Sequence, residues 1–382
     1  MRVAFVLHLA ERDGAGKAFL ELLDALRGGT VAPVALVPSG GPLVAELERR
    51  GVEVVTVPYR WWAERRTPLW KRPARAVWNL LTVPLVAAVV RSRRCEAIVT
   101  NTIMVASGAV AARLLGLPHV WYVHELWGGD TGIRFDLGEA LSMRLIDRLS
   151  AACLATSKTV AATLAAALQR TPVTILEQSV TLGPDTGPRS VHRPGPETLV
   201  CICVGTLHPI KRQDDAVRAL GALHRRGVPA RLWLVGDGEE QHVAALRRLA
   251  ESEGVGEATT FFGFQEDPSP LERAADVVLS CCPFEGFGRA TVEGMLAGRP
   301  VVAARGGGND ELVREGVNGL LYRGGDPADL ADALARLAGD PALRARLGEE
   351  GRRSASFEFT QSRYGTRMTQ ILLGVTGRAE TP

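Results

Sequence analysis

Two carboxylates, Glu285 and Glu293, are separated by seven residues, with Gly286 and Gly288 between them. The run just before them, residues 275–280, is short and apolar and predicts a strand buried on both faces. Gly286 and Gly288 allow a sharp turn and a close approach of backbone to a ligand. A helix following the turn would start with unpaired N–H groups, which suit phosphate. Glu293 would then lie more than a turn inside that helix, where a carboxylate can accept hydrogen bonds from a pair of sugar hydroxyls. Phosphate at one point and hydroxyls at two others suit a nucleotide sugar. The plain alternative is a strand, a turn and a helix carrying two surface glutamates.

These residues closely resemble the E-x7-E signature of retaining glycosyltransferases of family 4, which have the GT-B fold, and the resemblance is strongest over residues 204–323. It implies that Glu285 contacts the donor hexose and that Glu293 binds the ribose hydroxyls. It also implies that backbone N–H groups of Phe287, Gly288 and Arg289 meet the diphosphate. Gly205-Thr206-Leu207-His208-Pro209-Ile210-Lys211-Arg212 resembles a second family segment, whose lysine pairs with that diphosphate. An ammonium near phosphate is a strong contact. Two departures stand out: many members have arginine where this chain has Thr206, and glycine where it has Arg212. Arg212 either supplies the missing charge or faces solvent. Gly236-Asp237-Gly238 matches a turn that the family places near the nucleotide base, with His208 and Asp237 as lesser candidates.

The first half offers fewer chemical groups. Gly14 and Gly16 lie in a loop expected before a helix at 18–27. Gly16-Lys17 is not a phosphate loop, because Glu11 and Ala18 stand where that motif needs glycine and Ser/Thr. The resemblance implies that this loop brushes the donor phosphate or the acceptor through its backbone; simple turn chemistry explains it as well. His124 ends an expected strand, where the family has a histidine near the reacting sugar. Asn101 and Glu125 are the polar candidates for the acceptor.

To position these groups the chain needs two parallel α/β sheets. Strands are expected near 2–7, 34–37, 52–57, 97–100, 119–123, 153–156 and 173–176. A second set is expected near 199–204, 231–235, 259–262, 275–280, 300–304 and 319–322. A proline- and glycine-rich linker at 183–196 divides domain 1–182 from domain 197–355. Residues 356–382 would form a helix that the resemblance sends back to the first domain. The chain's 382 residues exceed what one core usually serves. The expected fold is therefore two Rossmann-like doubly wound domains with a cleft between them, ligands sitting at the carboxyl ends of the strands.

Net charge is only +3, which gives no field suited to nucleic acid. The six cysteines have no zinc-ligand spacing, and reduced thiols in a cytoplasmic protein are expected. No metal site is expected, since there is no D-x-D motif, and no cofactor beyond the donor itself. No run was expected to reach the ~18 apolar residues of a membrane span, because Asn79 and Pro84 interrupt the longest, 76–90. Residues 59–94 nevertheless hold four of the seven tryptophans and nine basic residues against the single acid Glu64. Solvated arginines on a packed helix are the favoured reading there. An anionic membrane face and an acidic or aromatic acceptor are the others.

The expectation is a metal-independent retaining transfer of a hexose from an NDP-sugar, UDP first, to a small-molecule, glycan or lipid-linked acceptor hydroxyl. The rivals are a nucleotide-sugar epimerase and a two-lobed binding protein without catalysis. A dehydrogenase is weaker, as no G-x-G-x-x-G follows either first strand.

Overall fold

The computed structural model describes residues 1–11, 13–65, 68–184, 195 and 197–378. The chain divides into one unit of Met1–Ser179 with Phe359–Pro382, and a second of Val180–Glu358. Most of the expected linker, residues 185–194 and 196, lies outside the described residues.

In the first unit, β1 (Arg2–Val6), β2 (Ala32–Val37), β3 (Glu53–Thr56), β4 (Ala97–Thr100), β5 (His119–Val123), β6 (Ala152–Ala155) and β7 (Val173–Ile175) form a parallel sheet. Its order is β3-β2-β1-β4-β5-β6-β7. The alternation within β1 shows why it is central. Val3 and Phe5 pack on one face with Phe19, Tyr364, Met368 and Leu372, while Ala4 and Val6 pack on the other with Val83, Val86 and Val90. Each fully buried large aliphatic of this kind contributes about 1.5–3 kcal/mol.

The helix Gln361–Thr376 thus belongs to the first unit's core. It runs against the helix Gly14–Leu26 so closely that a Cβ on Gly365 would sit 2.3 Å from the Ala25 carbonyl oxygen. Tyr364 Oη donates to Tyr122 Oη at 3.1 Å, and Tyr122 Oη donates to the Leu176 carbonyl at 2.8 Å.

The other face is covered by the helix Arg72–Ser92, which corrects the sequence reading. It runs unbroken through Asn79 and Pro84, and by length and composition it is long and apolar enough to cross a membrane. Asn79 is accommodated because its side-chain oxygen accepts the Arg60 N–H at 2.7 Å. Pro84 lies on the exposed side. Thr82, Val83, Val86 and Val90 are buried.

In the second unit, β8 (Leu199–Val204), β9 (Ala230–Val235), β10 (Thr259–Gly263), β11 (Val277–Ser280), β12 (Val301–Ala304) and β13 (Gly319–Tyr322) form a parallel sheet in the order β10-β9-β8-β11-β12-β13. Both units are Rossmann-like, each with its order reversal beside its first strand. In such sheets, ligands bind at the carboxyl ends next to that reversal. All six cysteines are buried.

Candidate functional site

The second unit gathers most of the expected residues at the carboxyl edge of its sheet. β8 leads into Gly205 and Thr206, then into a 3-10 turn, Pro209–Lys211. His208 caps this turn, its Nδ1 accepting from the Ile210 N–H at 3.2 Å. The neighbouring strand β11 leads into the turn that carries Glu285. These two connections bring Lys211 Nζ to 2.6 Å from Glu285 Oε1. Both side chains keep some exposure, 35% and 19% respectively, so a ligand can reach the pair.

The turn after Glu285 is shaped by glycine. Gly288 has φ 99° and precedes the helix Arg289–Leu296. A second chain segment braces it: the Gly308 N–H donates to the Glu285 carbonyl at 2.7 Å. Side chains at Gly307 or Gly308 would place a Cβ 2.3 Å from the Glu285 carbonyl oxygen or 2.1 Å from that of Phe287. Phe287 is buried, so the turn presents backbone rather than this ring. Within the helix, Arg289 stands 3.6 Å from Glu293, both largely shielded from solvent.

Asn309 ties the arrangement together, and sequence reasoning did not find it. Its Nδ2 donates to the carbonyls of Cys282 (3.0 Å) and Ala304 (3.1 Å). Its Oδ1 accepts from Thr291 Oγ1 at 2.9 Å and Ser280 Oγ at 3.3 Å. The side chain is fully buried and joins the ends of β11 and β12 to the helix that carries Glu293. Its only signal in the sequence is its place directly after the glycine run Gly306-Gly307-Gly308.

Arg212 does not supply free charge. It pairs through Nε and Nη2 with both oxygens of Asp215, each at 3.1 Å. That hydrogen bond raises the guanidinium's pKa above its ordinary value despite partial burial. Asp215 is itself buried and also accepts from the Gly325 N–H and Tyr322 Oη. Arg212 has φ 52° and ψ 41°, the left-handed region that favours glycine. Asp237 likewise acts on its own chain, its Oδ1 accepting the Phe264 N–H at 2.9 Å. Gly236 (φ 138°) could not carry a Cβ, which would lie 2.1 Å from the Gly205 carbonyl oxygen. Thr206 is exposed, and its carbonyl accepts from Gln213.

In the first unit, His124 follows β5 and meets Asn101, which follows β4. Asn101 Oδ1 lies 3.0 Å from His124 Nε2, and Gln178 Nε2 lies 2.9 Å from His124 Nδ1. An amide oxygen accepts and an amide nitrogen donates, so in this arrangement Nε2 is the ring nitrogen that donates to Asn101 and Nδ1 the one that accepts from Gln178. Glu125 accepts from Thr102 Oγ1 (2.6 Å) and from the Ile103 and His124 N–H groups (both 3.1 Å). It fixes the ends of β4 and β5 and so holds His124 in place.

Gly14 and Gly16 require a correction. Both lie inside the helix Gly14–Leu26, because Asp13 caps it through a 2.7 Å bond from the Gly16 N–H. The Gly16 amide is therefore engaged by Asp13 rather than offered to phosphate. Asp13 also forms an ion pair, Oδ2 lying 3.3 Å from His8 Nε2, and sequence reasoning missed His8. His8 follows β1 and packs beside Trp61, whose Nε1 donates to the His8 carbonyl.

Burial pulls the His8 pKa down, but the Asp13 hydrogen bond and the charges of Asp13 and Glu125 outweigh it and leave it raised. For Asp13, burial pushes upward, but the bond to His8, its charge and the Gly16 N–H leave the pKa lowered. A raised histidine stabilises fully below its unfolded pKa and loses that contribution as pH rises through the folded value. A lowered aspartate stabilises above its unfolded pKa and loses that as pH falls through its own. The pair therefore helps most between the ordinary values of 3.8 and 6.5. Asp13→Asn keeps a capping oxygen but removes the charge. The melting-temperature gap between wild type and this variant is expected to be largest in that window and to shrink at alkaline pH. A gap independent of pH would contradict the pairing.

Among the described residues, no cluster of three His, Cys, Asp or Glu side chains could hold a metal ion.

Residues 13–177 match the family described as "Glycosyl transferase 4-like domain", and residues 198–340 match "Glycosyl transferases group 1". A protein of Mycolicibacterium smegmatis named GDP-mannose-dependent alpha-(1-6)-phosphatidylinositol monomannoside mannosyltransferase is 32% identical over 219 residues. That stretch is 55% of this chain and 57% of the relative. The D-inositol 3-phosphate glycosyltransferase of Nocardia farcinica is 40% identical over 156 residues, 38% of this chain and 34% of the relative. The chain thus spans about half, or less, of the length of the curated relatives it matches. Among solved structures, HepE of Anabaena with UDP-glucose superposes with a TM-score of 0.79 at 22% identity, covering 98% of this chain and 100% of that one. WaaG, a glycosyltransferase involved in lipopolysaccharide biosynthesis, gives 0.70 at 18% identity, covering 97% and 100%. These structural likenesses show the two-domain GT-B fold.

Proposed function

The chain belongs to the family 4 glycosyltransferases, with a glycosyl transferase 4-like first half and a group 1 second half, and from this premise we propose that it transfers a sugar from an NDP-sugar to an acceptor hydroxyl with retention of configuration. One observation carries the reading. Lys211 and Glu285, from adjacent strand ends, meet at 2.6 Å beside the glycine turn that opens the helix Arg289–Leu296. A cation, a carboxylate and a helix N-terminus fit a diphosphate joined to a sugar better than they fit any uncharged ligand.

In the proposed reaction, the bond between the sugar's anomeric carbon and the diphosphate oxygen breaks. A new bond forms from that carbon to the acceptor oxygen, and the acceptor's proton passes to the departing phosphate oxygen. Negative charge grows on the diphosphate as it leaves. Lys211 and the N–H groups at the start of the helix would stabilise that charge, and the transfer is proposed to need no metal ion. Glu285 would hold the sugar and Glu293 the ribose. His124 is proposed to act near the reacting sugar, and Asn101 to contact the acceptor.

The nucleotide is proposed to be UDP. HepE was crystallised with UDP-glucose, whereas the M. smegmatis relative is named for GDP-mannose, so both nucleotides belong in the test. Calorimetric titration with UDP, GDP and dTDP in excess chelator should give binding of at least one, at roughly micromolar to millimolar strength. Glu293→Ala should weaken it about ten- to a hundredfold, the worth of charge-assisted hydrogen bonds. Absence of heat with all three nucleotides would remove the donor assignment.

A further inference from the structure

On a surface helix, the side away from the core is normally charged or polar. The helix Arg72–Ser92 departs from this. Its inward face holds Thr82, Val83, Val86 and Val90. On the opposite side Val77, Leu80, Leu81 and Leu85 are each more than half exposed, and Pro84 and Ala88 are exposed beside them. No charged residue occurs between positions 76 and 90. This is a contiguous apolar stripe with helical spacing, not isolated surface leucines.

The ends of the stripe differ from its middle. At one end stand Trp70, the most exposed large apolar residue of the helix region, and Trp78, with Lys71 and Arg60 over their rings at 5.1 Å each. At the other end stand exposed Arg91 and Arg94. Three further cations are turned inward or aside: Arg72 and Arg75 toward Asp136, and Arg93 toward Glu53. An apolar middle bounded by tryptophan and outward-facing cations matches the depth profile of an anionic bilayer surface, apolar within and negative at the headgroups.

We infer that the exposed face of the helix Arg72–Ser92 docks the protein in the plane of an anionic lipid bilayer. The helix lies on the surface rather than crossing it, because Val83, Val86 and Val90 hold its other side in the core of the first unit. A second copy of the chain is the poorer occupant. A two-fold contact through this stripe would bring like cationic ends toward one another or leave the stripe half covered. The inference does not depend on the proposed donor, and its test requires no substrate.

The experiment is co-sedimentation with vesicles of phosphatidylcholine alone or mixed with phosphatidylglycerol. Wild type is expected to pellet with the mixed vesicles and to be released by salt. Leu81→Glu/Leu85→Glu should reduce pelleting by about tenfold or more, with an unchanged circular dichroism spectrum and melting temperature. Lys71→Ala/Arg91→Ala should weaken binding to anionic vesicles while leaving the little binding to neutral ones as it was. Failure of wild type to pellet, or equal pelleting of the leucine variant, would overturn the inference. So would a lipid-free dimer that the leucine variant dissolves, since the stripe would then belong to a second copy.

Discussion

Glu285→Ala is expected to lower kcat by about a hundred- to a thousandfold, the range seen when one group stabilising a transition state is removed, while NDP affinity holds or rises. Lys211→Ala should do something different. It should weaken NDP binding about ten- to a hundredfold, the worth of a charge-assisted contact to phosphate, as well as slow turnover. The contrast follows from the 2.6 Å contact between the two side chains. Without ligand, Glu285 holds the ammonium. Removing Glu285 takes away a competitor for the diphosphate, whereas removing Lys211 takes away its partner. Titration with NDP and steady-state kinetics on both variants check this. Equal loss of NDP affinity in the two variants would mean that they act as one structural unit rather than in separate roles.

Asn309→Ala is expected to cost the second unit about 3–5 kcal/mol, since it strands several buried polar groups at once. The Cys282 and Ala304 carbonyls lose their donor, and the hydroxyls of Ser280 and Thr291 lose their acceptor. For a unit of this size the melting temperature should fall by roughly 6 °C or more. Because Asn309 anchors both the strand that leads to Glu285 and the helix that carries Glu293, NDP affinity should fall as well. Scanning calorimetry and the NDP titration together provide the check. A shift of only a degree or two would mean that water replaces the amide.

The sheets were largely legible in the sequence because their inner strands are buried on both faces and read as plain apolar runs, unlike the partly exposed edge strands Glu53–Thr56, Val173–Ile175 and Thr259–Gly263. The strand expected at 199–204 spans Leu199–Val204. The one expected from 275 starts at Val277, because Asp276 instead binds Val200 through its N–H and its carboxylate. The helix expected at 18 begins at Gly14, since Asp13 caps it, and a capping bond outweighs the weak helix preference of two glycines. Asn79 and Pro84 appeared to be interruptions of an apolar run. Their effect depends on which way the helix faces, and neighbouring elements decide that.

At the candidate site, the residue types were legible but the pairings were not. Lys211 and Glu285 are 74 positions apart and meet only because β8 and β11 are neighbours. Arg212 could be read as a phosphate ligand until Asp215, three positions on and buried, was seen to hold it. His8 lacked any signal beyond its place after the first strand.

Sugar transfer from a nucleotide donor is tested by NDP release from a panel of UDP-, GDP- and dTDP-sugars in excess chelator. Wild type should release NDP from at least one donor, faster when a suitable hydroxyl acceptor is present, and Glu285→Ala should reduce this by about a hundredfold or more. Conversion of a donor to its epimer without NDP release, or NDP binding with no turnover under any acceptor, would contradict it.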